Sequence, residues 1–446
     1  MFELTWTLCA ATCFATISLW RLLTDRFPHP ADIATLSVFY YALPLAIVAA
    51  VFQDDGGLVF LNPAASDPVI ALQSMHYAVL AVACLQLGRW LASKFRASET
   101  RLQFPLTARD AAKTRVFVAL LIAQMSVGVL LYGSDTFFSG YAVESVEGTA
   151  ALGNALIYSS IELIGLSLAY AFLINRASPA RSLPKLLIIA AIVLLLMAVI
   201  RGKRLEIVSA FLPIGLMIFG TRTFFRTIRG RVITLGIVAL LISLLASLRL
   251  GEVPNLPSLL FNLFSEGLYA GHSLPGIIDK LNSGQIDYEY GVRVMGGLLA
   301  FVPRFIWPGK DQVLYAGNHA LEGVSPLGAT SMLAEVVLQG GAVAVVIWFL
   351  SMGFVFQRLY SSQDKLDQSL RARHLPAGMI GYLVAVSIFV PHFRDGLIPA
   401  IKIALQSSTF FAVLAGLTWR PFISLRVALR RRVRRATRTG TRSLQR

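Results

Sequence analysis

The chain has 446 residues, of which 56% are hydrophobic and only 14% are charged, well below the roughly 25% charged residues of soluble domains. This composition excludes a soluble globular domain, because apolar runs long enough to span a bilayer recur along the whole chain. The net charge of +16 does not indicate nucleic-acid binding, since the basic residues lie in short loops between apolar runs and no nucleic-acid-binding motif accompanies them.

Eleven apolar segments predict transmembrane helices. They cover residues 5–20, 33–53, 70–92, 115–133, 153–174, 184–200, 205–221, 232–249, 330–356, 376–391 and 397–418. The start of the chain carries Glu3 and no basic residues, so we expect the first segment to be a retained span and not a cleaved signal peptide. The predicted fold is all-α: a polytopic membrane protein with about 11 transmembrane helices and one large loop.

The predicted organisation has four parts. Transmembrane helices occupy residues 1–249 and 330–421, a long loop occupies residues 250–329, and a basic tail occupies residues 422–446. Within the long loop, helices are predicted at 257–270 and 273–283. The apolar stretch Val292–Val302 is too short to span a bilayer and is predicted to be re-entrant or interfacial.

The basic residues alternate between the two sides of these spans. One set of loops, together with the tail, carries 30 of the 40 Lys and Arg, and the other set carries ten although it includes the longest loop. The positive-inside rule therefore predicts that the N-terminus and the long loop lie outside and that the C-terminus lies in the cytoplasm. The arginine-rich tail is predicted to bind anionic lipids of the inner leaflet.

Three clusters of basic residues fall on the predicted outer face. They are Arg201-Gly202-Lys203-Arg204, the segment from Pro303 to Lys310 with Arg304, and the turn Phe393-Arg394-Asp395-Gly396. The planar fork of arginine suits phosphate, because it donates two parallel charge-assisted hydrogen bonds. The structural alternative is that such side chains reach lipid phosphate at the membrane surface.

Acidic residues and a histidine on the same face are candidates for proton transfer. Glu335 lies five residues into a predicted span, where a carboxylate is costly unless it is functional or paired. Asp395 adjoins Arg394, and a local ion pair is its alternative role. Glu206 and His319 are additional candidates, although Glu206 is favoured as a partner that orients Arg204. The sequence shows no spacing of a metal site, so neither a metal nor another cofactor is expected.

These residues together resemble the Wzy-type polymerases of oligosaccharide repeat units (O-antigen polymerases). The resemblance is carried by Pro303-Arg304, Pro308 and Lys310, then Glu335 in a helix that ends at Gly340-Gly341, with the Arg201–Arg204 cluster before them and Phe393–Gly396 after them. It covers most of the chain through the order of spans and the late outer loop. Asp311 departs from the family, in which a Pro usually follows the Lys.

The resemblance implies a metal-independent glycosyltransferase of GT-C-like architecture in the bacterial inner membrane, acting in lipopolysaccharide and polysaccharide biosynthesis. Such an enzyme transfers a glycan from undecaprenyl pyrophosphate to the non-reducing end of a lipid-linked repeat unit at the periplasmic face. The implied partners are the lipid-linked donor and acceptor, and a chain-length regulator is a further candidate. The implied roles are as follows: Arg201, Lys203, Arg204, Arg304, Lys310 and Arg394 bind pyrophosphate, and Glu335 or Asp395 is the general base.

Three other functions remain open from the sequence. An O-antigen ligase uses the same donor with a different acceptor. A polyprenyl-phosphate-sugar glycosyltransferase carries an acidic pair in its first outer loop, for which Asp54-Asp55 is a candidate, although Gly56-Gly57 favours an exposed turn there. A lipid-linked glycan flippase requires basic residues along a cavity, whereas the basic residues here lie at span ends.

Overall fold

The computed structural model describes most of the chain. The described residues are 2–51, 63–95, 103–106, 108–132, 148–177, 183–201, 204–222, 224–250, 255–300, 302, 306–307, 309, 321, 323–324, 330–363, 366–389 and 393–416. The basic tail and the acidic pair Asp54-Asp55 lie outside these residues.

The described part is almost entirely helical. In chain order its helices are α1 (Phe2–Thr24), α2 (Pro30–Val51), α3 (Pro68–Lys94), α4 (Ala108–Tyr132), α5 (Gly148–Ala177), α6 (Leu183–Arg201), α7 (Arg204–Thr221), α8 (Ile228–Leu250), α9 (Leu256–Gly271), α10 (Ser273–Asn282), α11 (Val292–Leu299), α12 (Met332–Tyr360), α13 (Leu366–Arg371), α14 (Ala377–Val384) and α15 (Leu397–Gly416). A π-helical turn, Ala385–Phe389, extends α14. Two short strands, β1 (Gln103–Pro105) and β2 (His374–Pro376), pair antiparallel with Phe104 opposite Leu375.

The local sequence explains where several helices begin. Asp67 accepts a hydrogen bond from the backbone N–H of Val69, and Pro68 supplies a backbone angle suited to the first residue of α3. Asn255 and Ser258 form a reciprocal capping box at α9. Ser331 caps α12 through the N–H of Ala334.

Each of the eleven predicted spans coincides with a helix or, in the tenth, with a helix and its π-helical extension. Among the described residues, six helices are long and apolar enough to cross a membrane: α1, α2, α3, α4, α5 and α12. Shorter apolar helices occur within α6, α7, α14 and α15. The prediction of an all-α membrane protein is therefore confirmed at this level, and the count of eleven spans stays a prediction.

The predicted helices of the long loop are confirmed as α9 and α10, and the short apolar stretch after them contains α11. These helices pack against the long ones. Gly267 and Gly271 of α9 abut the backbone oxygens of Tyr40 and Tyr41 in α2, and Gly297 of α11 packs against Ile401 of α15. The described helices of the long loop are therefore built into the helical assembly.

Helices from the two ends of the chain share one core. A close crossing lies between α3 and α12, where a Cβ added at Gly88 or at Gly353 would overlap the backbone oxygen of Leu350 or Leu85, respectively. Small residues that allow two backbones to approach in this way are typical of helix packing in membranes. The crossing joins the N-terminal helices to the C-terminal ones.

The described parts of the predicted cytoplasmic loops meet at one end of the assembly, which we call the basic end. Asp32 at the start of α2 is fully buried and lies 2.9 Å from Arg89 Nη1 and 3.6 Å from Arg21 Nη1. Asp367 of α13 pairs with both Arg26 and Arg176. These contacts join loops that are far apart in sequence, as the alternation of basic residues predicted.

Two further buried side chains make hydrogen bonds between segments at the basic end. Arg231 is 1% exposed and donates hydrogen bonds to the backbone oxygens of Leu22 and Phe225, at 2.7 and 2.8 Å. His29 accepts a hydrogen bond from the N–H of Ala31 through Nδ1, and its Nε2 lies 2.9 Å from the side-chain oxygen of Gln357. Burial and the nearby Arg89 and Arg21 hold the pKa of His29 well below its ordinary value, although the Gln357 bond opposes them.

Candidate functional site

Three segments distant in sequence meet at the opposite end, which we call the loop end. They are residues 287–293 before and within α11, residues 330–339 at the start of α12, and residues 393–397 before α15. The N–H of Glu289 donates to the carbonyl of Leu338 at 2.9 Å, and the N–H of Ser331 donates to Ser273 Oγ at 2.9 Å. These contacts hold the first two turns of α12 against the long loop.

Glu335 lies at the centre of this junction and is 3% exposed. It stands in the first turn of α12 because Ser331 caps that helix four residues earlier. Its Oε1 accepts a hydrogen bond from Thr330 Oγ1 at 2.8 Å, and its Oε2 accepts one from the N–H of Leu397 at 2.7 Å. Leu397 is the first residue of α15, so the carboxylate sits at a helix N-terminus, where negative charge is stabilised.

The turn before α15 fits directly against this carboxylate. Gly396 has φ +84°, and a Cβ at this position would come within 2.7 Å of Glu335 Oε2 and closer still to Oε1. Phe393, which is buried, anchors the other end of the turn. Glu335 and Gly396 thus set the position of Arg394 and Asp395, both of which are partly exposed.

A buried arginine connects Glu335 to a second carboxylate. Arg293 of α11 is 4% exposed. Its Nε and Nη2 face the two oxygens of Glu289 at 2.8 and 3.1 Å, and its Nη1 lies 3.6 Å from Glu335 Oε1. Gln339 Nε2 donates to Glu289 at 2.9 Å. We call Glu289, Arg293, Glu335 and Gln339 the buried array.

The array also caps α11. Gln339 Oε1 accepts hydrogen bonds from the N–H groups of Gly291 and Arg293, at 2.8 and 3.3 Å. Side chains of α12 therefore cap the N-termini of two other helices. Gln339 caps α11, and Glu335 caps α15. With both carboxylates ionised, the array has a formal charge of −1, and its arginine is already matched by two acids. Such an array orients neighbouring groups, whereas a site that binds a pyrophosphate needs further cations.

The structure brings together three of the predicted site residues, Glu335, Arg394 and Asp395. Arg201 ends α6 and Arg204 begins α7, and the two residues between them lie outside the described part of the structure. The side chains of Arg201, Arg204 and Glu206 lie outside the described part of the structure. So do Lys203, Arg304, Lys310 and His319.

Sequence reasoning missed Glu289, Arg293 and Gln339. Two signals were present. Arg293 is a charged residue within the apolar stretch that was singled out as too short to span, and Glu289 precedes it by four residues, the spacing of a helical ion pair. Gln339, which lies next to the break of α12 at Gly340 and Gly341, gave no signal.

Comparisons of the chain with protein-family models, with curated proteins and with solved structures gave no match.

Proposed function

We propose that this membrane protein is a glycosyltransferase that polymerises lipid-linked oligosaccharide repeat units at the periplasmic face of a bacterial inner membrane. The order of its motifs along the chain supports the proposal through the resemblance to Wzy-type polymerases. The observation that carries it is the contact between Glu335 and the turn that bears Arg394 and Asp395. The resemblance attaches activity to both of these segments, which are far apart in sequence.

In the proposed reaction, an acceptor hydroxyl attacks the anomeric carbon of the donor sugar. The new glycosidic bond forms while the bond from that carbon to the pyrophosphate oxygen breaks, and the lipid pyrophosphate leaves with the bonding electron pair. The hydroxyl proton passes to a carboxylate acting as general base. Arg394, together with Arg201, Arg204 and Arg304, stabilises the charge that develops on the leaving group.

Burial decides between the two candidate bases. Glu335 is 3% exposed, and each of its oxygens already accepts a hydrogen bond. Asp395 is partly exposed on the turn that Glu335 supports. We therefore assign proton abstraction to Asp395, and we assign to Glu335 the positioning of Asp395 and Arg394.

The membrane arrangement is part of the same proposal. In this proposal the chain spans the membrane eleven times, with the loop end in the periplasm and the basic end in the cytoplasm, because the predicted cytoplasmic loops and tail carry the larger set of Lys and Arg. Lipid-linked donor and acceptor then reach the Phe393–Gly396 turn from the outer leaflet.

The direct test is turnover by the purified full-length protein, reconstituted into vesicles with a panel of undecaprenyl-pyrophosphate-linked repeat units. A ladder of products from repeat units alone is the expected result. Activity that appears only when lipid A core is added identifies a ligase. Transport of the lipid-linked units across the vesicle membrane without a ladder identifies a flippase. Either outcome contradicts the proposal.

Two variants separate the base from the positioning residue. Asp395→Asn should lower turnover about 10²–10⁴-fold and remove the acidic limb of the pH–rate profile. Glu335→Gln should also lower turnover but keep that acidic limb, because the proposed base Asp395 is still present. Asp279→Asn, at the end of α10 and outside the array, is the matched control and should resemble the wild type. An unchanged pH profile in Asp395→Asn would move the base elsewhere.

A further inference from the structure

A groove of about 320 Å³ lies at the loop end between α3, α10 and α12. One face of α3 lines it with Gln73, His76, Tyr77 and Leu80, which recur at the spacing of a single helix face. Asn282 at the end of α10 and Tyr288 after it line the opposite wall, and Asn282 Nδ2 donates to Gln73 Oε1 at 2.9 Å. The volume is at the small end of the about 300–1,000 Å³ of ligand pockets, which suits one ring-sized unit.

The break in α12 shapes one wall of this groove. Gly341 has φ +58° and ψ −138°, a conformation that a residue with a side chain rarely adopts. A Cβ at this position would come within 3.1 Å of the Tyr288 hydroxyl. The glycine therefore lets Tyr288 lie close over the backbone, and Tyr288 remains 39% exposed toward the groove mouth.

The chemistry of the lining selects an uncharged, hydroxyl-rich ligand. None of the ten described residues that line the groove is an Asp, Glu, Lys or Arg. Beside the bond between them, Asn282 keeps its carbonyl acceptor and a second N–H, and Gln73 keeps its amide donors, which matches the mixed hydrogen bonding of sugar hydroxyls. The rings of Tyr77 and Tyr288 offer flat apolar faces with a polar tip, against which the C–H face of a sugar ring can stack.

Residues that line the groove are neighbours of the buried array along the chain. Tyr288 of the groove is followed by Glu289 of the array, and Val337 of the groove precedes Leu338, whose carbonyl accepts the N–H of Glu289. An elongated ligand can thus place one end in the groove while another part lies near the array and the Phe393–Gly396 turn that it supports.

We propose that this groove binds one uncharged sugar ring of the lipid-linked glycan, held by Tyr77, Tyr288 and Asn282. The inference rests on the proposed function, since it assigns a position to part of the same substrate. The pyrophosphate is excluded from this groove because no Lys or Arg is among its described lining residues. The other candidate occupant is an isoprenoid chain, because several of the remaining lining residues are aliphatic.

Saturation-transfer NMR on the full-length protein in micelles tests the groove without requiring turnover. The probes are glucose, galactose, N-acetylglucosamine and N-acetylgalactosamine, and farnesol represents the isoprenoid. Binding of at least one of these sugars is expected for the wild type, and it should weaken about tenfold or more in Asn282→Leu and in Tyr288→Ala. Tyr288→Phe keeps the ring and should lose less, so it serves if Tyr288→Ala does not fold.

Gln285→Leu is the matched control, since it replaces an exposed amide in the same loop outside the groove and should bind sugar like the wild type. The proposal is overturned if none of the sugars binds the wild type. It is equally overturned if Asn282→Leu binds farnesol more tightly and leaves sugar binding unchanged, because the groove is then an isoprenoid site.

The failures of the two proposals are distinguishable. If repeat units form a ladder but Asn282→Leu and Tyr288→Phe polymerise and bind sugar like the wild type, the function holds and the groove assignment is wrong. If no ladder forms with any repeat unit while sugar binding depends on Asn282 and Tyr288, the groove is a sugar site and the polymerase assignment is wrong.

Discussion

Arg293→Met is the substitution that most directly tests the buried array. Methionine fills much of the volume of the arginine stem but removes the guanidinium that faces Glu289 at 2.8 and 3.1 Å and Glu335 at 3.6 Å. The formal charge of the array then changes from −1 to −2. Glu289 keeps the Gln339 contact, and Glu335 keeps its two neutral donors.

The expected loss of stability follows from burial. Breaking a buried ion pair by removing one partner costs about 3–5 kcal/mol, because the remaining charge is left without compensation. The Glu289 side chain is 14% exposed, so water relieves part of this cost. We therefore expect about 3 kcal/mol, at the lower end of that range.

The assay is the SDS-induced unfolding of the purified protein in mixed micelles. The matched control is Arg176→Met, which removes an arginine of the same type from an ion pair with Asp367 that is about one-third exposed on both sides. Such exposed pairs contribute about 0–1 kcal/mol. If Arg293→Met destabilises the protein no more than Arg176→Met does, the array is not the structural junction described above.

A second substitution tests the charge argument separately from packing. Glu289→Gln combined with Arg293→Met restores the formal charge of −1, because the new amide is neutral. The double variant should therefore regain a measurable part of the stability that Arg293→Met alone loses. If the two substitutions simply add, the loss in Arg293→Met comes from packing and not from uncompensated charge.

Two further predictions concern other sites. Gly396→Ala should disrupt the turn before α15, because the φ of Gly396 is +84° and the added Cβ overlaps Glu335. The free energy of unfolding should fall by about 1–3 kcal/mol. The control is Gly236→Ala, where no described atom lies within 4 Å of an added Cβ, and this variant should be neutral or slightly stabilising. An equal effect at both glycines would contradict the first expectation. His29 has a lowered pKa in the folded protein, so the unfolded chain binds the proton first as the pH falls. The free energy of unfolding should therefore be at its full value above about pH 6.5 and should decline below that pH by at most about 1.4 kcal/mol per pH unit. His29→Asn, which can still cap α2, should flatten that decline. Thermal melts recorded from about pH 7.5 to about pH 5, on either side of the ordinary histidine pKa, measure it. If the slope is undiminished in His29→Asn, the pH dependence comes from other groups.

Much of the fold could be predicted from local patterns. Apolar runs of about 20 residues predicted each long helix, since the backbone of a membrane span must satisfy its own hydrogen bonds. The alternation of Lys and Arg predicted that Arg21, Arg26, Arg89 and Arg176 share one end, and their ion pairs at the basic end agree with this.

The candidate site could be predicted only in part. Glu335 was identifiable because a carboxylate near the start of an apolar helix requires a partner or a function. Its partner Arg293 could not be identified from the sequence, because pairing between residues so distant in sequence depends on how α11 packs between α12 and α15. The groove at Tyr77, Asn282 and Tyr288 left no trace in the sequence beyond ordinary polar residues at helix ends.

The sequence by itself determined the class of the protein, the positions of its helices and the predicted side of each loop, because hydropathy and charge act locally along the chain. Tertiary structure alone decided that the start of α12 meets the turn before α15, and that Glu335 is enclosed while Asp395 stays partly exposed. The physical reason is that a buried carboxylate takes its donors from wherever the packed backbone presents them. Here its donors are a threonine in the preceding loop and the first N–H of α15, and an arginine of α11 at 3.6 Å supplies the opposite charge.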